Sequence, residues 1–572
     1  MGGWAREEEC HPAADHRGRN HVVRLRKEAA HRKNGEQAKS LYRCKKYGIV
    51  MRSEGNASGV TIEIPRYNDV WMDNGVETFY QILKEADNGG FDVTLTDDSL
   101  KVEVNDFDNF KESIGVAVKN RRSNLIVIAE DKKLGETKQI KKDYILIQEG
   151  TKIKGEVAFK EEMYNEKSAV DTVRQILELI TATGERNCVI CGRHFSKPVK
   201  KLQQAAYPPV TKIKSLSGVR SYKDGEVYSF KEYFEDFCPT CYLIGLTEWS
   251  DDGIIYRTIP GDKSTLFFPQ LNSLEELAKF KQSYRPLLNK SSRYRNIRVK
   301  IDGENTEKLP GSFSTLLCFY EKFFFNVDKK AAIGKSWVTM DVPFGAVKNI
   351  RLDTINLSDP ALQIIKELTD VKISIYKDII EQIFFFYDNP KGTPVDGDLT
   401  GEIREKLSEA IIKDNFRSFA QHLLPRKGGK VGYSKDTREN IEELIYLWRL
   451  RNMGLSEEKL ETIKSAGRTI AAASKNHRNL LYNLDKAKDK SALLDALRQI
   501  SRRIAGLKAE EKEKFKGYIY PPALEDVVSL LEEHDSDSKF IEDIKNILVV
   551  FSCVEFSRLD YLREKEEGRA NE

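Results

Sequence analysis

The chain predicts an α+β fold: a mixed α/β N-terminal region with an inserted four-cysteine zinc module, followed by a C-terminal helical bundle. Three observations predict it. Alternating apolar runs and helical spacings share residues 58–358, helical spacing dominates from 359 to 572, and two Cys-x-x-Cys pairs interrupt the first stretch. At 572 residues the chain is long enough for several sizeable cores.

Residues 1–57 hold four of the eight histidines (His11, His16, His21, His31) and little apolar periodicity. They read as a disordered leader or tag, with Met51 as a plausible true beginning; a basic arm or a Cys10/histidine metal tract is the competing reading. Residues 58–185 form the N-terminal α/β domain. "VTIEI" alternates as a strand, and "NGVETFYQILKEA" places Val76, Phe79, Ile82 and Leu83 on one helix face. "FDVTLTDDSLKVEV" is a hairpin about Asp97 and Asp98, "NLIVIAE" and "DYILIQ" are strands, and "SAVDTVRQILELI" is a helix. Residues 186–245 are the zinc-binding insert, and 246–358 continue the α/β domain through "GIIYRTI", "TLFFP", the helix "SLEELAKFKQSYRPLL", the core helix "STLLCFYEKFFFNV" and the strand region "SWVTMDVPFGAVKNIRL". Residues 359–572 read as the C-terminal helical bundle, with the turn-rich linker "NPKGTPVDGD" at 389–398 and about five amphipathic helices from 401 onward.

Cys188 and Cys191 in "NCVICGRHF" pair with Cys238 and Cys241 in "FCPTCYLIG". Each pair puts two sulfurs on one tight turn, about 2.3 Å from a shared tetrahedral ion, so the four read as a structural Zn2+ site. Gly192 suits the first turn, which needs φ > 0; Tyr242 departs from that pattern in the second. The 46 residues between the pairs cost only about 0.8 kcal/mol more in loop closure than an ordinary spacing. Structural zinc returns roughly 10–16 kcal/mol. A redox dithiol and two disulfides are the rival readings, and His194 can replace one sulfur. The other cysteines, Cys10, Cys44, Cys318 and Cys553, are scattered singly, as in a reducing, cytoplasmic protein. No apolar run reaches the ~20 residues of a membrane span.

With 93 Lys+Arg against 89 Asp+Glu, any nucleic-acid surface must be local. Three stretches qualify. Between the cysteine pairs stand Lys197, Lys200, Lys201, Lys212, Lys214, Arg220 and Lys223 against Asp224, with Tyr207 and Tyr222 placed to stack on bases. "NKSSRYRNIRVK" sets Arg293, Arg295 and Arg298 along a strand as a phosphate-binding stripe. Residues 461–520 hold 14 Lys+Arg against 7 acids, among them Lys475, Arg478, Arg502 and Arg503. An ordinary solvated loop, a charged edge strand and a solvated helix face are the bland counterparts. Catalytic signatures are missing. "PRKGGKVGYSK" lacks the phosphate-loop spacing and reads as a mobile basic loop, and His534-Asp535 stands in an acidic tract without further histidines nearby. The chain reads as a protein without covalent chemistry.

Three segments carry a family likeness. "DVWMDNGVETFYQILK", with Asp69, Trp71, Asn74, Gly75 and Phe79, is followed by "CVIC" and "CPTC", and then by "FFPQLNSLEELAKFKQSY" with "FSTLLCFYEKFFFN". Over roughly residues 60–330 the chain resembles the CXXC–CXXC large subunits of type I (I-B or I-A like) CRISPR Cascade complexes. That resemblance implies a non-catalytic subunit that recognises the protospacer-adjacent motif in duplex DNA, stabilises the R-loop and recruits the helicase-nuclease, while guide pairing reads the sequence. It implies crRNA, target DNA, the backbone and 5′-handle-binding proteins and a small subunit as partners. The bundle from about Met453 resembles that small subunit, with Met453 as an internal start giving 120 residues (572 − 453 + 1). Two other classes fit the same residues: a stand-alone zinc-containing nucleic-acid-binding protein, and a zinc-stabilised scaffold without a nucleic-acid role.

Overall fold

The computed structural model describes residues 59–86, 90–121, 126–128, 143–145, 166–199, 206–209, 220–223, 226–229, 237–259, 263–288, 309–327, 332–343, 351–387, 397–426, 428–433, 437–450, 453 and 455–570. The leader therefore lies outside the described residues. The first sheet is antiparallel, in the order β1 (Val60–Pro65), β3 (Ser99–Val104), β2 (Phe91–Leu95). Ile62 and Ile64 of β1, with Leu100, Val102 and Val104 of β3, alternate into the core, while Lys101 and Glu103 face water. Thr96 N–H closes the β2–β3 hairpin onto Ser99 O at 2.9 Å, with Asp97 and Asp98 at the turn.

Helix α1 (Val70–Glu85) starts where Asp69 Oδ1 accepts Met72 N–H at 3.0 Å. Its Val76, Phe79, Ile82 and Leu83 are all buried. Helices α2 (Phe107–Arg121) and α3 (Glu166–Ile180) bury Phe110, Ile114 and Val118 together with Val173, Ile176 and Leu177. The strands expected in "NLIVIAE" and "DYILIQ" are a short antiparallel pair, β4 (Ile126–Ile128) and β5 (Asp143–Ile145). β6 (Arg186–Asn187) and β7 (His194–Phe195) form the first cysteine hairpin, and β8 (Arg220–Lys223) and β9 (Glu226–Ser229) form a second hairpin inside the insert. After helix α4 (Pro239–Thr247) comes a four-stranded antiparallel sheet in simple order: β10 (Ile255–Ile259), β11 (Lys263–Gln270), β12 (Ser336–Pro343), β13 (Arg351–Asn356). Helices α5 (Leu274–Tyr284) and α6 (Ser312–Asn326) cover it with Phe280, Tyr284, Phe319 and Phe323, which pack with Trp337 of β12, the rings meeting mostly edge to face.

Helical structure dominates from α7 (Asp359–Asp370), whose N-terminus is capped by Ser358 and carries Pro360 in its first turn. Side chains nevertheless tie the two halves together. Buried Glu321 of α6 accepts Tyr376 N–H and Ser374 O–H, both at 3.0 Å, at the start of a π-helical turn (Ile375–Ile380). In the other direction, Glu405 of α8 (Gly397–Ile412) accepts Phe313 N–H at 2.8 Å and Ser314 N–H at 3.1 Å at the start of α6. A side chain from the back half thus caps a helix of the front half.

The back half is less purely helical than expected. "IFFFY" is strand β14 (Ile383–Tyr387), paired antiparallel with β15 (Gly429–Tyr433), so the glycine-lysine stretch read as a mobile loop holds a strand. Its glycines explain this. A Cβ on Gly429 or Gly432 would lie 2.2 Å from the Phe385 ring or 2.4 Å from the Phe386 ring, so only glycine lets β14 keep its aromatic side chains there. After α9 (Phe416–His422) and α10 (Thr437–Ile445) comes a six-helix run: α11 (Glu457–Ser474), α12 (Asn479–Lys486), α13 (Lys490–Ala505), α14 (Ala509–Lys514), α15 (Pro522–Glu533) and α16 (Ser538–Ala570). Helix α11 runs against the 33-residue α16, burying Ile463, Ala466, Ile470 and Ala471 with Leu548 and Phe551. None of the described helices is long and apolar enough to cross a membrane.

The cap across the two halves makes a direct prediction. Glu405→Ala should lower unfolding stability by about 1–2 kcal/mol, the usual cost of losing a helix cap. Urea titration followed by far-ultraviolet circular dichroism checks this; an unchanged midpoint would remove the cap from the stabilising contacts.

Candidate metal centre

The first cysteine pair sits on the hairpin β6–β7. Cys188 N–H donates to Arg193 O at 2.9 Å and Gly192 N–H to Cys188 O at 2.8 Å, closing a turn in which Gly192 has φ +70. The second pair is built differently. Cys238 is the N-cap of α4, Pro239 fills its first position, and Cys241 N–H donates to Cys238 Sγ at 3.4 Å. The chain continues into helix after Cys241, so no left-handed residue is needed. That is why Tyr242 stands where the first pair has glycine.

The turns face each other. Cys188 Sγ and Cys241 Sγ are 3.8 Å apart, Cys191 Sγ and Cys238 Sγ are 3.7 Å apart, and all four sulfurs lie within 4.8 Å of one another. A tetrahedron with metal–sulfur bonds of about 2.3 Å has edges of about 3.8 Å. The donor set therefore fits one tetrahedral ion, and the sulfurs are too far apart for disulfides. Cys188, Cys238 and Cys241 are buried and Cys191 is half-buried. Hydrogen bonds from the neighbouring sulfurs hold the Cys188 thiol far below the ordinary thiol range, whereas burial pushes Cys241 well above it. Such a cluster without a cation cannot carry four negative charges; a divalent cation allows it to.

Surrounding groups hold the sulfurs in place. Cys238 N–H donates to Cys188 Sγ at 3.3 Å, and Tyr67 Oη lies 3.5 Å from Cys241 Sγ. Arg193 bridges from the first turn to Thr240 Oγ1 at 3.2 Å and to the Glu63 carbonyl of β1. His194, considered as a substitute ligand, is exposed, and the cluster is complete without it.

Helix α4 is seated on α1, and the side chains of "DVWMDNG" do the seating. Trp71 Nε1–H donates to Ala206 O at 3.0 Å and Gly245 O at 3.2 Å, and Asn74 Nδ2–H donates to Pro269 O at 3.1 Å. A Cβ on Gly75 would stand 2.5 Å from Ile244 O, and one on Gly245 would stand 1.9 Å from Ala206 O. Gly75 of α1 thus lies against Ile244 of α4, and Gly245 of α4 against the backbone of Ala206, and neither glycine leaves room for a side chain. Tyr207, expected to stack on bases, instead donates its hydroxyl to Asp69 Oδ2 at 2.5 Å and is partly buried. Trp71, Asn74, Gly75 and Tyr67 are the supporting residues that spacing could not identify as such; the tryptophan and the glycine inside one helix were the available signal.

The candidate nucleic-acid residues are distributed as follows. Lys197 is exposed beside the first cysteine hairpin, and Arg220 opens β8. Lys200, Lys201, Lys212, Lys214, Arg293, Arg295 and Arg298 lie outside the described residues. Lys475 and Arg478 follow α11 and lie over the Phe556 ring at 5.5 and 5.8 Å, and Arg478 also donates to Gly429 O at 3.3 Å. Packing on α16 therefore occupies part of each side chain, and Arg478 is also held by β15. Arg502 is exposed and Arg503 half-buried in the last turn of α13, where a cation also suits the helix dipole.

Compared with known proteins, the chain matches no family model, no curated protein and no solved structure. The close approach of α1 and α4 is testable directly. Gly75→Ala should destabilise the protein by about 1–3 kcal/mol, the range for overpacking a tight contact, and should make zinc loaded into the purified protein easier to extract with a chelator. Chelator titration of both proteins checks this; equal metal loss and equal unfolding midpoints would contradict it.

Proposed function

We propose that the chain is a non-catalytic large subunit of an RNA-guided CRISPR surveillance complex, acting in the cytoplasm. In this reading it recognises the protospacer-adjacent motif in duplex DNA, stabilises the R-loop and recruits the helicase-nuclease. One observation supports it above the others: two of the segments that carry the family likeness form one structural unit. The "DVWMDNG" helix and the second cysteine helix meet backbone to backbone, through Gly75 and Ile244. The ion in this reading is Zn2+, bound by four thiolates. With its shell closed by sulfur it offers no open position to a substrate, so its role is structural.

The division of labour follows from charge. Lys197, Lys200, Lys201, Lys212, Lys214 and Arg220 in the insert, with Arg293, Arg295 and Arg298, are the groups assigned to duplex phosphates. The back-half bundle, small-subunit-like from about Met453, follows the displaced strand with Lys475, Arg478, Arg502 and Arg503. Its remaining partners are crRNA and the other Cascade subunits.

The decisive experiment is purification of the chain from its native cells, followed by sequencing of any RNA that accompanies it. Repeat-derived guide RNA is expected; its absence would refute the assignment. DNA affinity should fall steeply between low and moderate salt, and reversing Lys200, Lys201, Lys212 and Lys214 together should weaken duplex binding at least tenfold. A flat salt slope would leave only a scaffold role.

A further inference from the structure

Behind the metal centre, between α1, α5 and the segment after α4, lies a buried cluster of charged side chains that the reading above does not use. Lys281 Nζ reaches Asp251 Oδ2 at 2.6 Å, Glu77 Oε2 at 3.0 Å and Asn74 Oδ1 at 3.2 Å. An ammonium has three N–H donors, so all of them are committed. Arg285 gives its two terminal nitrogens to Glu77, at 2.9 and 2.5 Å, and shares the second with Asp251 Oδ1 at 3.0 Å. Its Nε lies 3.1 Å from Asp252 at the rim, while Arg121 is taken by Glu85 at 2.6 Å. Lys281 and Arg285 therefore face two buried carboxylates, Glu77 and Asp251, while Arg121, whose Nη1 has no partner among the described residues, adds its field on the side of Asp251 and Asp252.

Glu248 is the carboxylate left over. It has no solvent exposure, its Oε2 lies 2.8 Å from Thr78 Oγ1, and its Oε1 has no partner among the described residues. Every charged group that faces it (Glu77 on α1, Asp251 on its own segment, Lys281 and Arg285 on α5) is already paired. An ionised Glu248 would add a further negative charge to a dry site whose nearest cation, Lys281, is already shared between Glu77 and Asp251. We propose that Glu248 carries a proton in the folded protein, and that losing it unlocks the segment after α4 from α1, making the seat of the metal-binding helix sensitive to pH. This inference stands independently of any role in nucleic-acid binding.

The sign follows from linkage. Burial pushes Glu248 up from 4.5 to about 8, so the fold retains a proton that the unfolded chain releases. Its contribution to stability is complete below about pH 4.5 and is lost as pH rises to about 8, beyond which it levels off. Across that window one proton shifts the unfolding constant about tenfold per pH unit. Glu248→Gln keeps the shape and the acceptor for Thr78 but has no proton to lose.

The test is urea unfolding of the full-length, metal-loaded chain at several pH values between 5.5 and 9, wild type beside E248Q. The logarithm of the unfolding constant should rise with pH more steeply in wild type, by one proton per molecule up to about pH 8. The two curves should run parallel above that. Glu321 and Asp73, also raised by burial, contribute equally to both proteins. Parallel curves throughout would overturn the proposal. Should E248Q fail to fold, hydrogen exchange of residues 239–250 in wild type beside Asp73→Asn, which removes the other raised carboxyl of α1, decides. After correction for intrinsic rates, opening should increase about tenfold per pH unit between 5.5 and 7.5 in both proteins, and a pH-independent opening of either overturns it.

Discussion

Four sulfur atoms drawn within 4.8 Å of one another are the constraint on which the front half rests. Thiols at that spacing cannot all ionise unaided, and the 3.7 and 3.8 Å separations match the edges of a thiolate tetrahedron rather than a disulfide. Because the pairs are some fifty residues apart, an ion shared by them would close a long loop and fix the β6–β7 hairpin against the first turn of α4. Arg193 then ties the same hairpin to β1, so the centre also anchors the first sheet.

Helix α4 is held a second time, by contacts that involve no metal. Trp71 and the Gly75–Ile244 approach fix it against α1, and the buried cluster of Lys281, Arg285, Glu77 and Asp251 joins α1 and the segment after α4 to α5. Buried ion pairs give little net stability compared with apolar packing, because desolvation offsets their attraction. Breaking one partner leaves a bare charge, so arrangements of the three segments that unpair it are disfavoured. Metal site and ion cluster thus act on two ends of one nine-residue helix.

Much of this was legible in the sequence. The cysteine spacing pointed to one cluster, and period-two and period-3.6 patterns located β1, the β2–β3 hairpin, α1, α5 and α6. What could not be read was long-range partnership. Glycines in "KGGKVGY" resemble a loop when seen alone; their strand depends on the aromatic side chains of Phe385 and Phe386, more than forty residues earlier. Tyr207 resembles a stacking platform until Asp69 is placed beside it. Glu321 and Glu405 cap helices across the expected boundary near 359, and no local pattern encodes such a contact. Lys475 and Arg478 were legible as charge, but not as side chains laid over Phe556.

A metal-pinned front module is the premise shared by the fold and the proposed role. X-ray absorption at the zinc edge of the purified full-length protein tests it most directly. A closed thiolate site predicts four sulfur scatterers at about 2.3 Å around one zinc per chain. Folded protein without zinc, or a shell containing oxygen or nitrogen in place of sulfur, would contradict it.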